Sequence, residues 1–205
     1  MICFDIGANV GEWSLANKHN FDKIIAVEAS SHTFRKLSRQ TRFIKNIESV
    51  NKAVTDAKGI IDFFHAKHNL FSTTNNNWLN NKDMRFYGLQ YTTITAQCIS
   101  IDELIQLYGI PSLIKIDVEG GEFNTIKSLT SKVDTLCFEW TSEAESITHN
   151  CLDYLETIGF TEFFIQMHDN YLFRPKSDDY VDKNTVMDTL SKKQKMIDWG
   201  MMWCK

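Results

Sequence analysis

The sequence predicts an α/β fold in which a doubly wound, mostly parallel sheet carries helices on both faces. Apolar runs typical of buried strands alternate with segments of helical spacing through five units. Several of these runs end in an acidic residue. Two more apolar runs flank a turn near residues 161–174, which predicts an antiparallel hairpin at the sheet edge. We therefore expect residues 1–205 to form a single domain.

The first unit joins a buried strand, a tight turn and a helix. An apolar run ends at Asp5, and Gly7 and Gly11 follow four residues apart, ahead of the helix. Glycines at such a junction let the backbone approach a ligand, and the N–H groups of the helix's first turn point at it. Asn9 also fits, because Asn tolerates a left-handed conformation. This pattern is typical of a nucleotide-binding loop, although a plain strand-turn-helix, with Asp5 stabilising the turn, is the alternative.

The second apolar strand, Ile24 to Val27, ends at Glu28. Glu28 stands about 20 residues past the glycine loop, where an acid that binds two ribose hydroxyls belongs. The alternative for Glu28 is an ordinary surface acid. The loop and the acid together predict an adenosine site, without deciding which adenosine cofactor occupies it.

The next elements continue the alternation as far as residue 64. Ser30 or Ser31 caps a helix that reaches about Thr41, residues 47–54 form the third strand, and residues 60–64 form an added antiparallel strand. The pattern then dissolves from residue 66 to residue 91. This asparagine-rich stretch also contains the aromatic residues Phe71, Trp78, Phe86 and Tyr87. A loop this long is usually functional or disordered, and its aromatic residues favour function.

The second half of the chain resumes the strand and helix pattern. A strand at 92–100 precedes an amphipathic helix at 101–108, and further strands are predicted at 113–118 and 135–139, with a helix at 143–158. The edge hairpin pairs residues 161–167 with 171–174 around Asp169 and Asn170. The tail, 176–205, holds one amphipathic helix, and its apolar end, Met201 to Trp203, is expected to cap the core.

Composition limits the possible partners. The net charge of -4 and the absence of a basic run argue against nucleic acid as a partner. No apolar stretch approaches the ~18 residues of a membrane span, so no membrane partner is expected. Five cysteines without a C-x-x-C pair predict buried thiols in a reducing compartment, and hence a cytoplasmic protein.

Six ordered motifs run through most of the chain and carry a family resemblance. They are Phe4-Asp5-Ile6-Gly7-Ala8-Asn9-Val10-Gly11, Ala26-Val27-Glu28, Asn51-Lys52-Ala53-Val54, Ser100-Ile101-Asp102-Glu103-Leu104, Ile114-Lys115-Ile116-Asp117-Val118-Glu119-Gly120-Gly121-Glu122 and Cys137-Phe138-Glu139. On these motifs the sequence resembles the FkbM-like family of S-adenosylmethionine-dependent methyltransferases.

The resemblance implies a Rossmann-like class I methyltransferase fold with seven strands, the last of them antiparallel. It also implies O-methylation of hydroxyls on sugars and other small acceptors. Some virus-encoded members methylate deoxysugars such as rhamnose on glycans, and this short acidic chain is similar to that branch, which would place it in the host cytoplasm. The residues expected at the S-adenosylmethionine site are Asp5, Gly7, Asn9, Gly11, Glu28, Ala53 and Asp117.

Acidic residues at the ends of two strands predict the catalytic site. Asp117 and Glu119 lie two residues apart, so that both can face one cleft. Such a pair either supplies a base with a raised pKa or, together with Glu139, binds Mg²⁺ or Mn²⁺ that activates the acceptor hydroxyl. Glu122 is as well explained as a first-turn helix acid. His168, beside the hairpin turn, is a further candidate base, with a structural role as the alternative.

The loop at 66–91 is the predicted acceptor site. Carbohydrate recognition uses aromatic faces and amides, and this loop contains both. Trp78 is the expected sugar-stacking residue, so that Trp78→Ala should raise the acceptor KM. His65 and His68 at the start of the loop are expected to be solvated rather than metal-bound. The alternative for the whole loop is a disordered connection.

Three alternatives remain for the function. The acceptor hydroxyl could belong to a small molecule that is not a sugar. An NAD-dependent oxidoreductase also needs a glycine turn with a distal acid, but the first loop lacks the G-x-G-x-x-G spacing. A non-catalytic adenosine-binding domain would leave the clustered carboxylates without a role, although clustered like charges cost stability.

Overall fold

A computed structural model describes residues 1–66 and 72–205. The strands are β1 (Ile2–Ile6), β2 (Lys23–Val27), β3 (Ile47–Val50), β4 (Ala53–Val54), β5 (Ile60–Ala66), β6 (Tyr91–Ile99), β7 (Leu113–Ile116), β8 (Thr135–Thr141), β9 (Phe163–Met167) and β10 (Trp199–Cys204). The helices are α1 (Glu12–Asn17), α2 (Ser31–Thr41), α3 (Asn76–Asn80), α4 (Ile101–Tyr108), α5 (Glu122–Ile126), α6 (Glu145–Thr157) and α7 (Lys183–Ser191).

Seven of these strands form the main sheet, in the order β3-β2-β1-β7-β8-β10-β9. Strands β3, β2, β1, β7 and β8 pair in parallel, and β10 runs antiparallel to both of its neighbours. The predicted fold class, including its seven strands and antiparallel last strand, is confirmed. The strand order reverses between β1 and β7, so the ligand cleft of such a sheet lies at the carboxyl ends of these two strands.

Alternate residues of the strands contribute their side chains to two apolar cores, one on each face of the sheet. Phe4 belongs to the core that packs α4, α5, α6 and α7 against the sheet, whereas Cys3 belongs to the core beneath α1 and α2. Neighbouring residues of a strand point to opposite faces, so helices cover both faces of the sheet. All five cysteines are free thiols. In the described ranges, none of the helices combines the length and apolar character that crossing a membrane requires.

The edge hairpin is built from different residues than the sequence predicts. Residues 171–174 form no strand, and β9 pairs with β10 instead. Met201, Met202 and Trp203, which were expected to cap the core, are therefore a strand inside the sheet and are 0–3% exposed. The reason is that this run is apolar on both faces, as a strand between two others must be, whereas residues 171–174 end in a charged arginine.

A smaller sheet lies beside the main one, in the order β4-β6-β5. The antiparallel pairing of β5 with β6 confirms the added strand that the sequence predicts. Residues 72–91, which we call the cover segment, lead from β5 to β6 and contain α3. The predicted loop residues His68 and Phe71 lie outside the described residues.

Candidate active site

The glycine loop between β1 and α1 is fastened to the end of β2. The N–H groups of Gly7 and Ala8 both donate to the Val27 carbonyl, at 3.0 and 2.9 Å. Gly7 has a φ of 77°, and a Cβ there would lie 1.8 Å from the carbonyl oxygen of Asp117. Asn9 has a φ of 50°, so its expected left-handed conformation is present. The loop thus brings the ends of β1, β2 and β7 into contact with one another.

Glu28 follows β2 directly, and its side chain is hydrogen-bonded to the glycine loop. Its two carboxylate oxygens accept hydrogen bonds from the backbone N–H groups of Asn9 (3.0 Å) and Ser30 (2.8 Å). The side chain is buried, and burial raises its pKa to about 7, against the effect of these two donors. Each oxygen keeps a further lone pair, so the carboxylate can still accept hydrogen bonds from two ligand hydroxyls.

A cavity of about 340 Å³ lies at this edge of the sheet. Its described lining includes the predicted cofactor residues Gly7, Asn9, Glu28, Ala53 and Asp117, and with them Val54, Phe63, Lys115, Glu119, Asp169 and Tyr171. Asp5 and Gly11 are not in this lining. Asp5 is fully buried beneath the loop, and Gly11 packs against Leu37 of α2. The volume is in the range of pockets for small organic ligands.

A buried lysine, which the sequence reasoning did not assign, connects the acids under the cavity. Lys115 is 3% exposed, and its Nζ lies 3.0 Å from Asp117 and 3.7 Å from Asp5. Asp5 also accepts a hydrogen bond from the Ser14 hydroxyl at 2.5 Å. A signal was present in the sequence, since a lysine inside an apolar strand has to be paired when it is buried. The pairing holds Asp117 at the floor of the cavity.

Three carboxylates meet beside the cavity. Asp117, Glu119 and Glu139 each offer an oxygen within 4.8 Å of the others. The structure thus brings together the predicted metal pair, Asp117 and Glu139, and the predicted base, Glu119. Burial and the neighbouring acids raise the pKa of Glu119 and Glu139 well above the usual value, and Arg85 acts in the opposite direction. The site is therefore able to take up a proton or a cation.

Glu119 is held in a strained backbone conformation, whereas Glu122 has a local role. The φ of Glu119 is 54°, which is unfavourable for a residue with a side chain and is typical of functional sites. The Glu122 carboxylate accepts from the N–H groups of Val118 and Gly120, both at 3.2 Å, and burial raises its pKa to about 7. Glu122 therefore stabilises the turn into α5, which agrees with its reading as a first-turn acid.

The cover segment is bonded directly to the backbone of the acid cluster. The Thr73 hydroxyl donates to the Glu119 carbonyl at 2.6 Å, and the Asn75 amide donates to the Gly120 carbonyl at 2.9 Å. Farther along, Arg85 forms a two-pronged ion pair with Glu143, with Nη2 to Oε2 at 2.7 Å. This part of the predicted loop is therefore folded and attached to the turn that carries Glu119.

Trp78 lies under this cover rather than on its surface. It is 2% exposed and packs edge-on against Phe86, with ring centroids 5.9 Å apart. Gly120 makes room for the ring, because a Cβ there would lie 2.8 Å from it. The expectation that Trp78 offers an open face to a sugar is wrong for this conformation, since the packing of the cover buries the ring. Interaction with its indole also lowers the pKa of Glu119.

Substitution of Trp78 is accordingly expected to act on stability. Trp78→Ala should lower the free energy of unfolding by about 3–5 kcal/mol, as for other buried aromatic residues. Tyr87→Ala, in the same segment but half-exposed, should cost less than about 1 kcal/mol. Urea denaturation measures both. If Trp78→Ala left stability unchanged and weakened only acceptor binding, the sugar-stacking role would be restored.

The two described histidines with predicted roles lie outside the described lining of the cavity. His168 is exposed, has a φ of 58°, and packs edge-on against Trp199 at 5.5 Å. Its role as a base stays a prediction, and its placement does not favour that role. His65 stacks on His32 at 5.1 Å, with its Nδ1 3.1 Å from the Ser30 hydroxyl. His65 thus packs against α2, and the expectation that it binds no metal stays a prediction.

Comparison with known proteins gives one family and a fold. The family model described as "Methyltransferase FkbM domain" matches residues 5–172. No curated protein matches the chain. Two solved structures are similar to it over its whole length: a precorrin-6y C5,15-methyltransferase from Geobacter metallireducens (10% identity, 79% of that chain, TM-score 0.52) and a precorrin 8w decarboxylase from Methanobacterium thermoautotrophicum (8% identity, 81% of that chain, TM-score 0.50). At these identities the likeness concerns the fold.

Proposed function

The chain belongs to the FkbM family of S-adenosylmethionine-dependent methyltransferases, and on this basis we propose that it transfers a methyl group to a hydroxyl of a sugar or glycan. One observation carries the proposal. Asp117 lines the cavity proposed for the cofactor and also belongs to the three-carboxylate cluster. The cofactor and the acceptor hydroxyl would therefore both lie beside this residue. When bound, the cofactor supplies an electrophilic methyl group on a sulfonium.

The residues of this chain then have two tasks: to hold the acceptor oxygen in line with the methyl group and to remove its proton. A sugar hydroxyl is a weak acid, and the second task therefore needs a strong base or help from a cation. Glu119 suits the base role, because burial and the neighbouring acids raise its pKa and the cover segment holds its backbone carbonyl. Glu28 holds the ribose, and the Lys115 ion pairs fix Asp117.

We further propose that Asp117, Glu119 and Glu139 bind Mg²⁺ or Mn²⁺. Three carboxylate oxygens in close contact are the donor set that these cations prefer. The nearby Arg85 is already paired with Glu143, so the negative charge of the cluster is not fully balanced. A cation held by these residues would lower the pKa of the acceptor hydroxyl, with Glu119 or another of the acids receiving the proton.

A sugar is favoured over other alcohols by the surface of the cover segment. Asn76, Asn77 and Asn80 are exposed amides there, and Tyr87 of the same segment is half-exposed. Amides form hydrogen bonds with the hydroxyls of a sugar ring, and an aromatic ring packs against the apolar face of a deoxyhexose such as rhamnose. A hydroxyl on a non-sugar small molecule is the competing acceptor class.

Calorimetric titration with S-adenosylmethionine, S-adenosylhomocysteine and NAD tests the cofactor, and Glu28→Ala is the matched variant. We expect binding of the first two ligands, lost in the variant, and no binding of NAD. Methyl transfer is then measured on rhamnosides, other glycosides and phenolic alcohols, with and without EDTA. Binding of NAD alone would contradict the assignment of S-adenosylmethionine as the cofactor. Transfer only to phenols would contradict the assignment of a sugar as the acceptor. Full activity in EDTA would contradict the requirement for a cation.

Cofactor affinity is expected to depend on pH through Glu28. Ribose hydroxyls donate to its ionised form, and burial raises its pKa to about 7, so binding strengthens as the pH rises through 7. Below that value, S-adenosylhomocysteine should bind about tenfold more weakly per pH unit and release up to one proton. Calorimetry in two buffers of different ionisation enthalpy counts this proton, and Glu28→Gln should remove the part of the dependence that is centred near pH 7. An unchanged profile in Glu28→Gln would assign the dependence to another acid.

A further inference from the structure

Asp169 is an acid of the cavity to which the proposed chemistry gives no role. It follows β9 and lines the same cavity as Asn9 and Glu28. It is half-buried, yet among the residues that the structure describes it accepts no hydrogen bond and has no ion-pair partner within 4.0 Å. A carboxylate in such a position loses hydration without gaining a partner, and a bound ligand with a positive charge would supply one.

The loop that carries Asp169 is firmly attached to the glycine-loop side of the sheet. The Tyr171 carbonyl accepts hydrogen bonds from the Asn17 amide at 3.0 Å and from Arg174 at 3.2 Å. Arg174 also donates to the Asn17 side chain at 2.7 Å, and its guanidinium lies over the Trp13 ring at 5.4 Å. These contacts fix the position of Asp169, so the carboxylate is preorganised for a ligand in the cavity.

The charges around Asp169 favour a cationic group. Lys115 and Arg174 attract its carboxylate, while Asp117 and Asp5 repel it, and burial raises its pKa to about 6. Lys115 is already engaged by Asp117 and Asp5. Three acids thus share one ammonium group at this part of the cavity, which leaves an excess of negative charge when all are ionised.

We propose that Asp169 binds the α-ammonium group of the methionine part of the cofactor, an inference that rests on the proposed function. Glu28, Ala53 and Phe63 contribute to the cavity from β2, β4 and β5, where the adenosine belongs. Asp117 and Asp169 enter from β7 and the loop after β9, beyond the switch point of the sheet. The amino-acid part therefore extends toward Asp169, and the ionised carboxylate and the ammonium form a charge-assisted hydrogen bond.

Ligands of decreasing size test this assignment. Asp169→Asn should weaken binding of S-adenosylhomocysteine, measured by calorimetry at pH 8, by about 10- to 100-fold. It should weaken binding of the decarboxylated analogue, which keeps the ammonium group, to a similar extent. Binding of 5′-methylthioadenosine, which lacks the whole amino-acid part, should not change. Asp178→Asn is the matched control, because Asp178 is exposed and outside the described cavity lining.

The possible outcomes separate this inference from the proposed function. Equal weakening of all three ligands would mean that Asp169 only maintains the shape of the cavity, and it would overturn the assignment. Unchanged binding of S-adenosylhomocysteine in Asp169→Asn would overturn it as well. If the wild-type protein bound none of the three adenosyl ligands, the proposed function itself would fail, and the inference with it.

Discussion

Glu119→Gln is expected to lower kcat for methyl transfer by about 10²- to 10⁴-fold, the usual contribution of general acid–base catalysis. The amide has the size of the carboxylate but cannot accept the proton, and it is a weaker ligand for a cation. Binding of S-adenosylhomocysteine should stay within about twofold of wild type, because Glu119 stabilises the reacting hydroxyl and not the cofactor. The measurement is initial-rate kinetics on the acceptor found by the glycoside screen.

Controls distinguish the two roles that Glu119 can have. Glu162→Gln removes an exposed acid away from the cavity and should leave kcat unchanged. If high Mn²⁺ concentration restores activity to Glu119→Gln, the residue acts as a cation ligand; if it does not, the residue acts as the base. An unaltered kcat in Glu119→Gln would exclude both roles.

Gly7→Ala is expected to destabilise the protein by about 3–5 kcal/mol and to abolish cofactor binding. Two effects add. The φ of 77° is unfavourable for alanine, and the new Cβ would lie 1.8 Å from the Asp117 carbonyl oxygen, so β1 and β7 would have to move apart. Urea denaturation measures the first loss and calorimetry with S-adenosylhomocysteine the second.

Gly59→Ala is a matched control for Gly7→Ala. Gly59 has a φ of 81°, but a Cβ there meets no atom within 4 Å. It should therefore cost only the conformational part, about 1–2 kcal/mol, and leave cofactor binding intact. Equal destabilisation by the two substitutions would show that the close approach of the strands at Gly7 is not important.

Local patterns in the sequence were sufficient for most strands and for α4. Ser100 and Glu103 form a complete capping box, and the helix from Ile101 to Tyr108 has the predicted bounds. Glu28 was also predictable, since a strand end and a fixed spacing from the loop define its place. Such features depend on neighbours in the chain, and the family resemblance added the pairing order of the strands.

Features that depend on distant contacts were beyond sequence reasoning. The residues 171–174 have the composition of a strand, but the more apolar segment at 201–204 takes the place beside β9. Trp78 has the character of a sugar-binding residue, but the packing of the cover segment against the distant Gly120 buries its ring. Asp169 reads as a turn residue, whereas the attachment of its loop to α1 directs it into the cavity.

The hydrogen bond from Thr73 to the Glu119 carbonyl links the cover segment to the backbone of an acid of the cluster. Glu119 keeps its left-handed backbone while its carbonyl is bound to the cover segment and its carboxylate faces the cluster. Any displacement of the cover segment would break this bond and the one from Asn75 to the Gly120 carbonyl, and the turn that carries Glu119 would lose both attachments. The position of Glu119 in the acid cluster and the closed position of the cover segment are therefore mechanically coupled through the backbone of a single turn.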